Sequence, residues 1–98
     1  MSDPLNFITT VLTLTGNAAT KLVGRNINRS YLAVQNTGTG SVTITFQASP
    51  VIGAGIALDP ASASGGQGGS WEWKESVPTQ PVYAISSAGT SIVVIEGT

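Results

Sequence analysis

Few residues in this chain carry reactive groups. It has no histidine and no cysteine, which excludes a histidine-assisted nucleophile, an imidazole metal site and a thiolate metal site. The remaining candidates are five carboxylates: Asp3, Asp59, Glu72, Glu75 and Glu96. In an extended strand Glu72 and Glu75 fall on opposite faces, which disfavours a catalytic acid–base pair. We therefore predict no catalytic residue, no cofactor and no metal ligand, and a protein that is not an enzyme.

The two tryptophans, Trp71 and Trp73, stand two residues apart in "GGSWEWKES". Residues at this spacing in a strand share a face, so both indoles point the same way. Core packing is the ordinary role of such large side chains, and we expect at least one to be buried against residues 30–36 and 91–97. A second interpretation remains open, in which the pair stacks a sugar or forms the centre of a protein interface.

Arg25 and Arg29 lie in "GRNINRS". One interpretation is a solvated loop with surface ion pairs, which contribute little stability. The other is contact with the carboxylates of a partner, because arginine is enriched at interfaces. We also expect the N-terminal arm, about residues 1–6, to reach a neighbouring protein, with Asp3, Pro4 and Leu5 as its candidate interface residues.

Charge is sparse along the whole chain, with four basic and five acidic residues among 98 and a net charge of -1. A nucleic-acid binder carries a basic surface for phosphates, and a polybasic membrane-surface protein carries a similar cluster; neither is present. A surface this neutral favours association with partners. The start "MSDPLNF" lacks the basic and apolar regions of a signal peptide, so we expect synthesis in the cytoplasm.

Short runs rich in β-branched residues recur along the chain, with apolar residues at alternate positions in several of them. No stretch shows a helical apolar period. We predict strands at residues 7–15, 20–24, 30–36, 41–48, 55–59, 71–75, 82–86 and 91–97. Turn-forming residues at 36–41 and 86–91 predict hairpins there. The predicted fold is all-β: one domain over residues 1–98, a small antiparallel β-sandwich of jelly-roll type with about seven or eight short strands.

Three stretches follow one another between about residues 28 and 97: "NRSYLAVQNTGTGSVTITF", "GIALDP" and "GGSWEWKESVPTQPVYAISSAGTSIVVIEG". Together they resemble small virion proteins of tailed bacteriophages. The resemblance implies a structural role, as a decoration (cement) protein on the outer capsid surface of the virion, with the major capsid protein as partner. It supplies no catalytic residue. It also implies a homo-oligomer, with a trimer favoured over a dimer because capsid lattices offer threefold sites.

Two alternatives remain open at this point. The chain could serve the same virion as a tail, fibre or baseplate subunit. It could instead be a carbohydrate-binding module that uses Trp71, Trp73 and Tyr83 as a stacking platform.

Overall fold

The computed structural model describes residues 6–61 and 68–98. Within these residues the chain forms strands, turns and loops, with no helix. The strands are β1 (Phe7–Leu14), β2 (Thr20–Val23), β3 (Tyr31–Asn36), β4 (Val42–Thr45), β5 (Ile56–Leu58), β6 (Ser70–Trp73), β7 (Val82–Ile85) and β8 (Thr90–Gly97). All eight overlap the predicted segments, although β4 is four residues long where eight were predicted, and the all-β prediction is confirmed.

The strands form two antiparallel four-stranded sheets. Sheet A has the order β1-β8-β3-β6, and sheet B has the order β2-β7-β4-β5. The first strand therefore pairs with the last, β2 with β7, β3 with β6 and β4 with β5. Within sheet A the two strand pairs are joined by the pairing of β3 with β8, and within sheet B by the pairing of β4 with β7. This is the nested pairing of a jelly roll, the architecture expected from the strand pattern.

The core lies between the sheets and follows the alternation of side chains along each strand. In β3, Leu32 and Val34 are fully buried, and their neighbours Tyr31 and Ala33 are partly accessible. The same alternation places aliphatic residues of six further strands inward. The buried apolar residues are Leu14, Leu22, Leu32, Val34, Val42, Ile44, Leu58, Val82, Ala84, Ile92 and Val94.

Neither expected hairpin is present. Residues 36–41 join β3 in sheet A to β4 in sheet B, and residues 86–91 join β7 in sheet B to β8 in sheet A. Both segments cross between the sheets because the strands on either side of each segment pair with other strands and not with each other. Turn-forming residues indicate where the chain turns, but they do not determine which strands pair. The two crossings touch each other: a side chain at Gly40 would collide with the backbone of Gly89.

Thr43 differs from the simple alternation in β4. It points away from the core, yet it is buried. The loop between β4 and β5 folds over it, and the backbone N–H of Gly53 donates a hydrogen bond to its Oγ1 at 3.0 Å. The burial of the outward-facing Thr43 is therefore caused by the loop and could not be predicted from the alternation in β4.

Candidate interaction surface

Both tryptophans project from the inner face of sheet A at its β6 edge. Trp73 lies opposite Leu32 in the neighbouring strand, and Trp71 lies opposite Val34. Directly opposed residues in an antiparallel pair share a face, so the indoles belong to the core side, as their spacing predicts. Trp73 packs against the core and against Phe46, at 5.9 Å between ring centroids. Trp71 remains 47% exposed.

The expectation of a buried tryptophan is therefore met only in part. Trp73 is partly buried against the core, and Trp71 is exposed because the sandwich is open at the β6 edge. The two rings meet at 63° with centroids 6.3 Å apart, so they do not form one flat surface. Tyr83 lies in β7 of sheet B, between the buried residues Val82 and Ala84, and points away from the core. The structure does not bring Tyr83 together with the tryptophans.

Arg29 is buried, so both interpretations of this residue, a position on a solvated loop and contact with the carboxylates of a partner, were wrong. Its Nε donates to Glu96 Oε2 at 2.6 Å, and its terminal nitrogens donate to the backbone carbonyls of Gly24, Pro78 and Gln80. The guanidinium thus joins three separate segments of the chain from inside. Its neighbour Arg25 is exposed and forms no ion pair within residues 6–61 and 68–98. Only Arg25 of the two is available to a partner.

The arm residues Asp3, Pro4 and Leu5 lie outside the described residues. Their proposed contact with a partner stays a prediction. The first described residue, Asn6, continues the β1–β8 ladder, because its N–H donates to the Thr98 carbonyl at 3.2 Å and its carbonyl accepts from the Thr98 N–H at 2.9 Å.

The outer face of sheet A is a feature that was not identified from the sequence. Strands β1, β3 and β8 each present apolar side chains there as well as inward. We define the outer apolar face by the residues Phe7, Val11, Tyr31, Ala33, Val93 and Ile95. A depression of 220 Å³ on this side of the sheet is lined in part by Ala33, Val93 and Ile95. The signal was present in "SIVVIEG", whose unbroken apolar run is typical of a strand covered on both sides.

Aromatic packing shapes one end of the outer apolar face. Phe7 and Tyr31 both lie opposite Gly97 in the strand between them. Because this glycine has no side chain, the two rings meet over it, edge to face, with centroids 5.6 Å apart. The contact ties β1 to β3 across β8.

Glu72 is a charged residue on this side of the sheet, and it is paired locally. The Tyr31 hydroxyl donates a hydrogen bond to Glu72 Oε2, and Lys74 Nζ lies 3.4 Å from Glu72 Oε1. The hydrogen bond from Tyr31 lowers the pKa of Glu72 below 4.5, with a smaller lowering by Lys74. The same hydrogen bond, with desolvation, raises the pKa of Tyr31 above 10.0. Both shifts favour a charged carboxylate beside a neutral phenol at neutral pH.

Asn36 is a buried structural residue that sequence reasoning also missed. Its Nδ2 donates to the carbonyls of Gly40 and Leu58, at 2.7 and 3.3 Å. Its Oδ1 accepts from Thr90 Oγ1 at 2.7 Å and from the Gly38 N–H at 3.2 Å. The amide therefore holds the crossing after β3 against β5 and β8. The signal is a polar residue on the same strand face as Leu32 and Val34.

Within the described residues, no three histidine, cysteine, aspartate or glutamate side chains cluster in a way that could hold a metal ion. No helix in that part of the chain is long and apolar enough to span a membrane. No family model, no curated protein and no solved structure matches this chain.

Proposed function

We propose that the protein is a structural component of a tailed-bacteriophage virion that binds the outer surface of the head and stabilises it. The observation that carries the proposal is the outer apolar face of sheet A. An outward sheet face is normally polar, whereas this one presents Phe7, Val11, Val93 and Ile95, with Glu72 paired at its margin. Such a surface is typical of a binding site for another protein.

The proposed partner is the major capsid protein. A sheet face with few charges binds by shape and apolar contact, which suits a partner presented in many identical copies on a rigid shell. Jelly rolls recur among viral capsid and lectin domains, and this analogy at the level of the fold supports the same class of function. The protein would be made in the host cytoplasm and reside on the capsid surface.

Binding to capsids tests the proposal directly. Purified heads of the phage that supplies this chain are stripped of it, mixed with the purified protein and sedimented. We expect the wild-type protein to co-sediment with the heads and to raise the temperature at which they release DNA. Failure of the wild-type protein to bind stripped heads would contradict the proposal, as would its location in the tail, fibre or baseplate by cryo-electron microscopy of intact particles.

A matched pair of variants locates the binding surface. Ala33→Glu places a charge on the outer apolar face, opposite Glu72 of β6, and Ala57→Glu places the same charge on the outward side of β5 in sheet B. Burying an unpaired carboxylate in an interface is costly, so Ala33→Glu should weaken capsid binding by at least ~10-fold. Ala57→Glu should bind within about 2-fold of the wild type. Equal affinities for the two variants would exclude sheet A as the binding face.

A second candidate is carbohydrate binding, and the observation that favours it is the exposed indole of Trp71. One accessible ring can stack a sugar even though Tyr83 and Trp73 do not complete a platform. Titration of the protein with a panel of sugars, followed by tryptophan fluorescence, distinguishes this candidate. A saturable change in the wild type, together with loss of sugar binding by Trp71→Ala in isothermal titration calorimetry, would support it.

A further inference from the structure

The four edges of the two sheets are not equivalent. Each sheet ends in two strands with unpaired backbone groups, β1 and β6 in sheet A and β2 and β5 in sheet B. Natural proteins protect such edges with short strands, charged side chains, proline or bulges, because an unprotected edge pairs with another strand. Three of these four edges carry such protection.

The protected edges differ in how pairing is blocked. β2 carries the exposed Lys21 and a register shift between Lys21 and Val23. β5 has only three residues. β6 has four residues, and the charges of Glu72 and Lys74 lie along it and just beyond it.

β1 carries none of these features. It is eight residues long and its sequence, FITTVLTL, contains no charge and no proline. It pairs with β8 from Phe7↔Gly97 to Leu14↔Thr90 without a register shift. Alternate residues of an antiparallel strand direct their backbone groups to each side, so about four residues of β1 present unpaired N–H and C=O groups along one straight edge.

In the first five residues of β1, Phe7 to Val11, the side chains are also exposed on both faces. Val11 on the outer face is 68% exposed, and Ile8, which projects from the inner face, is 64% exposed. Within the described residues no other segment pairs with this edge. An uncharged, regular, apolar edge of this kind is complementary to a copy of itself, because two such strands bring no like charges together.

We propose that the free edge of β1 pairs with the β1 edge of a second copy of this chain. Two antiparallel copies of one strand are related by a two-fold axis perpendicular to the sheet. That axis keeps the outer faces of both copies on the same side. The pairing therefore joins two four-stranded sheets into one continuous sheet and extends the outer apolar face across both copies.

The two-fold symmetry makes this assembly a dimer, in place of the trimer that the resemblance implies. The paired segment is short compared with the roughly 20–30 residues a side of a standard interface, so the expected dissociation constant is on the order of 1–100 µM. The pairing does not depend on the proposed capsid role and can be measured without capsids.

Sedimentation equilibrium of the purified full chain, from about 1 µM to about 500 µM, measures the assembly. We expect a reversible change from the mass of one chain to the mass of two. The matched variants are Val11→Lys and Val51→Lys, since Val51 is a loop residue with a similar exposed fraction of 62%. Val11 lies near the middle of β1, so lysines at this position in the two copies lie close to the two-fold axis and repel. Val11→Lys should therefore raise the dissociation constant at least ~10-fold and Val51→Lys less than about 2-fold.

Crosslinking provides a second measurement that does not depend on a destabilising charge. The chain has no native cysteine, so single cysteines can be placed at residues 9, 10, 11 and 12 in turn. Opposed Cα atoms in an antiparallel pair lie within the range that a disulfide spans. We expect oxidation to link two chains at one or two of these positions and not at a control cysteine at residue 51.

Circular dichroism of every variant confirms that the β fold is retained. A wild-type chain that stays monomeric at the highest concentration would overturn the proposal, as would a trimer. Dimerisation of Val11→Lys with wild-type affinity would overturn it too, because another surface would then hold the copies together.

Discussion

Replacement of Arg29 is the sharpest test of what holds this sandwich together. Its side chain has no solvent exposure, and that of Glu96 has 20%. In Arg29→Met the aliphatic volume is largely kept, so the loss falls on the four hydrogen bonds that the guanidinium makes to Glu96, Gly24, Pro78 and Gln80. The variant leaves a mostly buried carboxylate without its partner.

The expected cost can be estimated from these contacts. Removing one partner of a buried ion pair costs about 3–5 kcal/mol, and a buried acceptor left unsatisfied costs about 1–3 kcal/mol. Glu96 retains some access to water, and the three carbonyls can partly rehydrate if the loop opens. We therefore expect Arg29→Met to lower the free energy of unfolding by about 3–5 kcal/mol, a large share of the stability of a small domain.

Urea denaturation followed by circular dichroism measures this change, with Arg25→Met as the matched control. Arg25 is exposed, so its replacement should change the free energy of unfolding by less than about 0.5 kcal/mol. The double variant Arg29→Met/Glu96→Gln should recover part of the loss, since it removes the unpaired charge, and the cycle yields the coupling energy. If Arg29→Met and Arg25→Met unfold at the same urea concentration, the buried network does not stabilise the fold as argued.

Two further predictions concern the aromatic residues of sheet A. Trp73→Ala should lower the free energy of unfolding by about 2–4 kcal/mol because Trp73 packs on the core, whereas Trp71→Ala should cost less than about 1 kcal/mol; equal costs in urea denaturation would contradict the assigned placement. Glu72→Gln removes the charged acceptor of the Tyr31 hydroxyl, so the phenolate absorbance of Tyr31 should appear at lower pH than in the wild type. The pKa of Tyr31 is raised in the folded state, so its hydrogen bond to Glu72 stabilises the fold below pH 10.0, and this stabilisation is lost as the pH rises through the folded-state pKa. The pKa of Glu72 is lowered, so the stabilisation from its carboxylate is present above pH 4.5 and is lost as the pH falls through the folded-state pKa. An unchanged alkaline titration of Glu72→Gln would show that the hydrogen bond does not form in solution.

Only part of the candidate surface could be predicted from the sequence. The alternation in "SWEW" places both indoles on one strand face, and the register of β6 against β3 confirms that they share the face of Leu32 and Val34. How far each indole is covered depends on the opposite sheet, and Phe46 reaches Trp73 but leaves Trp71 open. The outer apolar face is likewise assembled from three strands that are distant in sequence.

The sequence by itself determined the eight strands, because alternation and turn residues act over a few neighbouring positions. Which strands pair was decided only by the tertiary structure. "NTGTGS" has the composition of a hairpin turn, yet β3 pairs with β6 and β8 in sheet A, and β4 pairs with β5 and β7 in sheet B. The sequence around Arg29 is typical of a surface loop. Its burial depends on Glu96 in β8, which is 67 positions away in the sequence and accepts a hydrogen bond from Arg29 Nε. The burial of Arg29 and the pairing of β3 and β4 depend on contacts between residues far apart in the sequence. Local propensities cannot predict such contacts.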